Sequence, residues 1–188
     1  MDRDKLNILD RLEARRKLAD VCDYPDVRSR RERLKKLLAL MIRHRDAAMS
    51  ALQKDLGKSA FESLSTELLP LAGILRYLIR KLPKLARRRR AGVSWMNFPA
   101  SGYVVPEPYG MGLVVATWNY PLLLALEPLA GAYAAGNQVV LKLHDRSPHA
   151  KSFLLWILQE AFEGEITVID GEISTGENFS HAESGHGA

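Results

Sequence analysis

The chain has 188 residues, 47% hydrophobic and 26% charged, the balance of an ordinary globular protein and enough for one core. The opening Met-Asp-Arg-Asp-Lys lacks the apolar core of a secretory signal, and the most apolar region, residues 113–141, is interrupted by Asn119, Pro121, Glu127 and Pro128. That excludes an export signal and a clean membrane span of ~20 apolar residues, and the single Cys22 excludes an internal disulfide, so a cytoplasmic protein is expected.

The net charge of +5 conceals an asymmetry: residues 1–90 hold 24 Lys and Arg against 12 Asp and Glu, and residues 91–188 hold 3 against 10. Charge imbalance of this kind governs association more than fold.

Residues 2–20 read as a helix with Leu6, Leu9 and Leu12 on one side, interrupted at Tyr24-Pro25-Asp26. In residues 28–56 the positions Leu34, Leu37, Leu38, Met41, Ile42, Ala48, Met49, Leu52 and Leu56 follow the helical repeat, predicting one long amphipathic helix stopped by Gly57. A second helix begins near Phe61, carries Leu64, Leu68, Leu71, Leu75, Leu78 and Leu82, bends at Pro70 and ends at Pro83. Leucine stripes at this spacing are far more often core than partner sites.

Residues 81–90 close with Arg87-Arg88-Arg89-Arg90. Basic runs bind phosphate backbones in some proteins, but no aromatics interleave this one and no DNA-reading helix pair follows. It reads as a solvated connector whose cations suit a helix C-terminus, and nucleic acid is not expected as a partner. Residues 101–108 form an extended arm in which Pro106 and Pro108 suit a sheet edge. Gly110-Met111-Gly112 precedes a strand and does not link a strand to a helix, so it is a turn and not the dinucleotide fingerprint.

Residues 113–116 are an apolar run without polar alternation, which suits a strand covered on both faces in a parallel sheet. Thr117, Trp118 and Asn119 break it, Pro121 suits the first turn of a helix, and Gly136-Asn137 suits its end. The small residues Ala130, Gly131, Ala132, Ala134 and Ala135 let that helix lie close to the sheet, and residues 139–141 are the next buried strand. Such a βαβ connection is nearly always right-handed.

Ser147-Pro148 is an N-cap and first-turn pair for a helix that runs to about Phe162 and presents Phe153, Leu154, Ile157, Leu158 and Ala161 inward before Gly164 ends it. Residues 166–169 are a third buried strand, and Asp170-Gly171 is a third turn at the same edge. From about Gly176 the text is polar, small and without period, a disordered tail; its His181 and His186 lack the ligand spacing of a metal site, so none is expected.

The reading is an α/β protein: a helical lead-in with basic connector (residues 1–100), half of a doubly wound parallel, Rossmann-like sheet forming a partial dinucleotide-binding domain (101–175), and a tail (176–188). Residues 117–119 and 142–145 both follow the carboxyl end of a strand, where open α/β sheets bind ligands. Taken singly, Asn119 is more often a turn or cap residue, Lys142 a solvated strand end, and Trp118 a packing residue.

Trp118-Asn119-Tyr120-Pro121, Ala134-Ala135-Gly136-Asn137 and Val140-Leu141-Lys142, in this order and spacing, resemble the aldehyde dehydrogenase superfamily. Val104-Val105-Pro106-Glu107-Pro108-Tyr109-Gly110 resembles its class 3 and coniferyl-type branch. The likeness runs from about Arg30 to about Gly176, which is only the front part of a typical member. It implies that Asn119 donates its side-chain amide to the oxyanion formed when a cysteine thiolate attacks an aldehyde, a contribution of typically ~10²- to 10³-fold in rate. It further implies that Thr117 and Trp118 belong to the cofactor loop, that Lys142 contacts the adenosine ribose or its phosphate, and that Asp145 replaces a ribose-binding glutamate. The cofactor implied is NAD or NADP, with NAD slightly favoured because a carboxylate at 145 repels a ribose phosphate. Thr117 and Leu143 depart from the family's prolines, and Asp145 is one methylene shorter than Glu, which lengthens the ribose contact or bridges it by water.

The family's glycine-rich cofactor loop, general-base glutamate, nucleophilic cysteine and oligomerising strands fall beyond the resembling portion. Cys22, ahead of the helical lead-in, does not stand in for the nucleophile. The expectation is therefore the N-terminal fragment of an NAD(P)-dependent aldehyde dehydrogenase, inactive on aldehydes by itself and prone to self-association through an uncovered sheet edge. The alternative is a non-catalytic dinucleotide-binding or regulatory module.

Overall fold

A computed structural model describes residues 25–169; the expected first helix, Cys22, the turn at Asp170-Gly171 and the tail with His181 and His186 lie outside them. Helix α1 (Val27–Arg43) starts where the Asp26 carboxylate accepts from the Ser29 amide at 2.8 Å, and α2 (Arg45–Leu56) stops at Gly57, whose φ of 68° is left-handed. The single helix expected here is two. At His44 the backbone leaves helical geometry (φ −109°, ψ 24°), although hydrogen bonds from His44 to Leu40 and from Ala48 to His44 cross the kink. The kink brings the His44 ring edge-on to Trp156 at 4.7 Å.

Helix α3 (Ala60–Ser63), capped by the Ser59 hydroxyl, passes through a π-helical turn (Leu64–Leu68) into α4 (Leu69–Leu85). Pro70 has no N–H and its ring crowds the carbonyl four residues back, so a wider turn just before it accommodates the proline, where the sequence predicts a bend. The expected end at Pro83 is overrun to Leu85. Pro83 cannot donate to the Ile79 carbonyl, and the Arg31 guanidinium does so instead at 2.9 Å.

Strand β1 (Arg89–Ala91) pairs antiparallel with β2 (Gly102–Val104), so the arginine run ends in a hairpin and is not wholly a connector. Arg88 lies over the Tyr103 ring, 4.9 Å from its centroid. Gly110, with φ 106°, makes the expected turn, whereas Gly112 already lies inside β3.

Strands β3 (Met111–Val115), β4 (Gln138–Lys142) and β5 (Thr167–Ile169) form a parallel sheet in that spatial order, with Val115 opposite Lys142 and Lys142 opposite Ile169. The crossovers are α5 (Leu123–Ala134), beginning just after Pro121, and α6 (Pro148–Phe162), which buries Phe153, Leu154, Ile157, Leu158 and Ala161 as its spacing predicts. Gly136, at φ 98°, ends the α5 turn; a Cβ there would stand 2.9 Å from Arg30 Nη1, whose guanidinium donates to the Ala134 carbonyl.

Coverage of β3 on both faces is not observed. Val114 is buried against the helices, but Leu113 and Val115, which alternate with it and so project to the opposite face of the sheet, are 46% and 63% exposed. Above the sheet, α5 packs on β3 and β4, α1 packs on α5 and α6, α2 on α6, and α4 on α1 and α5. One continuous core joins Leu34, Leu37, Leu75, Leu129, Leu141, Leu154 and Phe162 across these layers. Among the described residues no helix is long and apolar enough to cross a membrane.

Candidate functional site

Parallel pairing carries β3 and β4 to a common carboxyl edge. Immediately past the last ladder pair, the Ala116 amide donates to the Lys142 carbonyl at 2.9 Å, so residues 117–119 and 142–145 leave the sheet side by side. The Ser147 hydroxyl, which the sequence places as the cap of α6, instead donates to the Trp118 carbonyl at 3.0 Å and ties the two loops together. Between them lies a cleft lined by Ala116, Thr117, Pro121, Leu143, His144 and Ser147. Its volume of about 10 Å³ has room for one water at most, so these loops make a rim and not a substrate pocket.

The Thr117 hydroxyl donates to Asn119 Oδ1 at 2.8 Å. With Oδ1 engaged, the Asn119 Nδ2 group has no hydrogen-bond partner among the described residues and is available as a donor. The Thr117 hydroxyl thus supplies a contact that orients the amide. The Asn119 main-chain carbonyl accepts from Lys58 Nζ at 2.9 Å. Trp118 is 45% exposed and does not pack into the core; Arg146 stands 6.0 Å from its ring centroid.

Lys142 is partly exposed, and its ammonium turns to the neighbouring Leu143 carbonyl at 2.9 Å. Asp145 is exposed, but its carboxylate accepts from Lys151 Nζ at 2.7 Å. That hydrogen bond is the main reason the Asp145 carboxyl is held below its ordinary range, with the charges of Lys151, Lys142 and His144 adding to it. The acceptor expected for a ribose is therefore already shared with a lysine, at a strand-to-helix junction where Lys142, Arg146 and Lys151 outnumber the one carboxylate.

Three charged residues that the sequence reading did not single out buttress this rim from beneath. Glu67, on the π-helical turn, is fully buried; its Oε2 accepts from the Leu122 and Leu123 amides at 2.9 and 3.1 Å and so caps α5. Its Oε1 lies 2.6 Å from Lys58 Nζ, and Lys58 also sits 3.9 Å from the Tyr120 ring centroid. Asp55 caps α6: its carboxylate accepts from the His149 and Ala150 amides at 3.1 and 2.7 Å, and His149 Nδ1 lies 2.7 Å from it. An available signal was that Glu67 falls three residues after Leu64 and four before Leu71, a carboxylate on an apolar stripe.

Parallel strands joined by helices, with polar loops converging at the carboxyl edge, define a Rossmann-like α/β unit, here as half of a doubly wound sheet. The sequence profile of the aldehyde dehydrogenase family matches residues 12–184, and the chain belongs to that family. It is similar to 4,4'-diapolycopene-4,4'-dial dehydrogenase of Cytobacillus firmus, 34% identical over 84% of this chain and 35% of that protein. It is also similar to a probable coniferyl aldehyde dehydrogenase of Pseudomonas aeruginosa, 34% identical over 94% of this chain and 38% of that protein. Among solved structures, the substrate-bound state of Staphylococcus aureus AldH superposes with a TM-score of 0.82 at 29% identity, covering 88% of this chain and 36% of that one. The chain thus spans just over a third of the length of these relatives.

Proposed function

We propose that this chain supplies the front of the cofactor-binding half, and the oxyanion donor, of an NAD(P)-dependent aldehyde dehydrogenase that oxidises an aldehyde to a carboxylic acid. Family membership supports the reaction class, and one observation carries the assignment of residues: Asn119 presents a side-chain amide donor without a hydrogen-bond partner among the described residues, on the rim that also bears Lys142. A neutral amide is suited to the task because it stabilises a developing alkoxide without requiring a proton to move.

The donor set at the neighbouring loop fits a dinucleotide's ribose: an ammonium at Lys142 and a carboxylate at Asp145, on the edge where open α/β sheets take nucleotides. The dinucleotide, when bound, supplies the hydride acceptor. Lys142 would leave its Leu143 carbonyl to meet a ribose oxygen, and Asp145 would accept from a ribose hydroxyl while still paired with Lys151. Since Lys151 offsets the charge of Asp145, NAD is favoured over NADP only slightly. The sequence holds a single cysteine, Cys22, ahead of the helices that carry the rim, so the 188-residue chain alone is expected not to oxidise aldehydes, in a reducing, cytoplasmic setting.

The test is a chimaera in which residues 25–169 replace the matching portion of the Pseudomonas aeruginosa relative. Asn119→Ala in that protein should lower kcat by ~10²- to 10³-fold with a smaller change in KM. A kcat within a few-fold of the parent would remove Asn119 from the oxyanion site. For the chain alone, aldehyde-dependent nicotinamide reduction abolished by Asn119→Ala would overturn the expected inactivity. A second reading is a non-catalytic dinucleotide-binding module, which Lys142 and Asp145 at the carboxyl edge of the sheet would equally serve; saturable NAD binding by the chain alone, followed through its tryptophan fluorescence, would support it.

A further inference from the structure

The least expected group in the molecule is the Lys58–Glu67 pair. A lysine ammonium and a glutamate carboxylate are buried together, with side chains 8% and 0% exposed, beneath a loop that is itself exposed. Pairs of this kind are poor stabilisers compared with apolar residues of equal volume, because desolvation consumes most of the Coulombic gain. The geometry shows another use. Glu67 holds the first two amides of the turn that follows the loop, and Lys58 holds the Asn119 carbonyl within it and lies against the Tyr120 ring next to it. Four residues flanking Pro121 are thereby fixed from one buried point: Asn119, Tyr120, Leu122 and Leu123. The carboxylate also sits on a π-helical turn, a local widening often found where a helix serves a functional site.

We infer that Lys58 and Glu67 are positioning residues for Asn119: they clamp the backbone on both sides of Pro121 so that the side-chain amide is presented in one orientation. The Thr117 hydroxyl completes the arrangement by fixing Oδ1 from the other side. This inference rests on the oxyanion reading for its meaning in catalysis, but the clamp itself is a property of this chain and is measurable without any reaction.

The experiment is NMR of the labelled 188-residue chain carrying Leu113→Lys/Val115→Lys, which removes two exposed apolar side chains of β3 and keeps it monomeric, following the Asn119 side-chain amide and the exchange of backbone amides in Lys58→Arg, Lys58→Met and the double variant Lys58→Met/Glu67→Leu. The double variant replaces both charges by apolar groups and is expected to fold even where the single Lys58→Met does not. In the double variant the Asn119 side-chain signals should move and broaden. The Leu122 and Leu123 amides should lose roughly 10- to 100-fold of exchange protection, as follows from the loss of charge-assisted hydrogen bonds. Amides of Leu154 and Ile157 in α6 should keep theirs. Lys58→Arg, which keeps a cation and a donor, should leave the Asn119 signals near those of the parent. A folded double variant with unmoved Asn119 signals would overturn the clamp. So would a uniform loss of protection throughout the chain, which is what a merely structural pair would produce. The oxyanion assignment fails separately, by Asn119→Ala leaving kcat intact in the chimaera, and that result would leave the clamp, as read from these spectra, standing.

Discussion

Asp55→Ala removes one carboxylate and orphans the start of α6. In the parent, Asp55 accepts from the His149 amide at 3.1 Å and the Ala150 amide at 2.7 Å, and its side chain is 1% exposed. An ordinary N-cap contributes ~1 kcal/mol, rising to ~2 where the cap is well formed. Charge-assisted hydrogen bonds contribute ~1.5–3 kcal/mol, and the two descriptions overlap and do not add. Because burial keeps water from replacing the lost acceptor, the upper part of the range applies, and a destabilisation of ~2–3 kcal/mol is expected. With a urea slope of ~1–3 kcal/mol per molar, the unfolding midpoint should fall by ~1 M. Asp55→Asn retains one acceptor and should lose about half as much. Urea unfolding followed by circular dichroism measures both variants. If each stays within ~0.5 kcal/mol of the parent at unchanged slope, the cap is replaceable and the reasoning fails.

Removing the cation from Asp145 by Lys151→Met should expose the carboxylate to the ribose, so the ratio of NADP to NAD dissociation constants should rise by ~2- to 5-fold, the scale of an exposed ion pair; an unchanged ratio in fluorescence titrations would refute the masking. Glu163 has its carboxyl held down to about 2 from 4.5, first by the hydrogen bond from Arg33 and then by that from Lys36. Since the folded value is the lower one, the contribution of this clamp to stability is present above pH 4.5 and is lost as pH falls toward 2. An NMR titration should place the Glu163 midpoint near 2 and return it toward 4.5 in Arg33→Met; no movement in that variant contradicts the assignment. Finally, the exposed Met111, Leu113 and Val115 of β3 should drive self-association at micromolar concentration. The double variant Leu113→Lys/Val115→Lys should sediment as a monomer, and a monodisperse monomeric parent would refute the expectation.

What the sequence announced was whatever depends on neighbours along the chain. The strands expected at 113–116 and 139–141, the helix stops at Gly57 and Gly136 and the inward face of α6 are local, and the structure bears them out, though not the cover expected on both faces of the first strand. Pro70 also marked a disturbed turn, although its π-helical form was not legible. The misses share a different cause. Arg31 rescues the Ile79 carbonyl next to Pro83 from 48 residues away, and Asp55 takes the capping role that local spacing gives to Ser147. Helix periodicity is equally blind to the kink at His44, because the apolar spacing continues through it. The rim followed the same division: the places of Asn119 and Lys142 at strand ends were legible and Glu67 carried a readable signal as a carboxylate on an apolar stripe, while its contacts with the Leu122 and Leu123 amides and that of Lys58 with the Asn119 carbonyl were not, since no pattern in one segment reports a partner in another.

The buttress has a direction in time. Arg30, Asp55 and Glu67 each serve a helix terminus that lies later in the chain, at Ala134, at Ala150 and at Leu122. On a ribosome, where the amino end emerges first, every one of these partners is made before the terminus it will satisfy. The nascent crossover helices therefore meet their counter-charges as they form, and the opposite order of elements would leave those same helix ends waiting, with their polar groups bare, for a segment not yet synthesised.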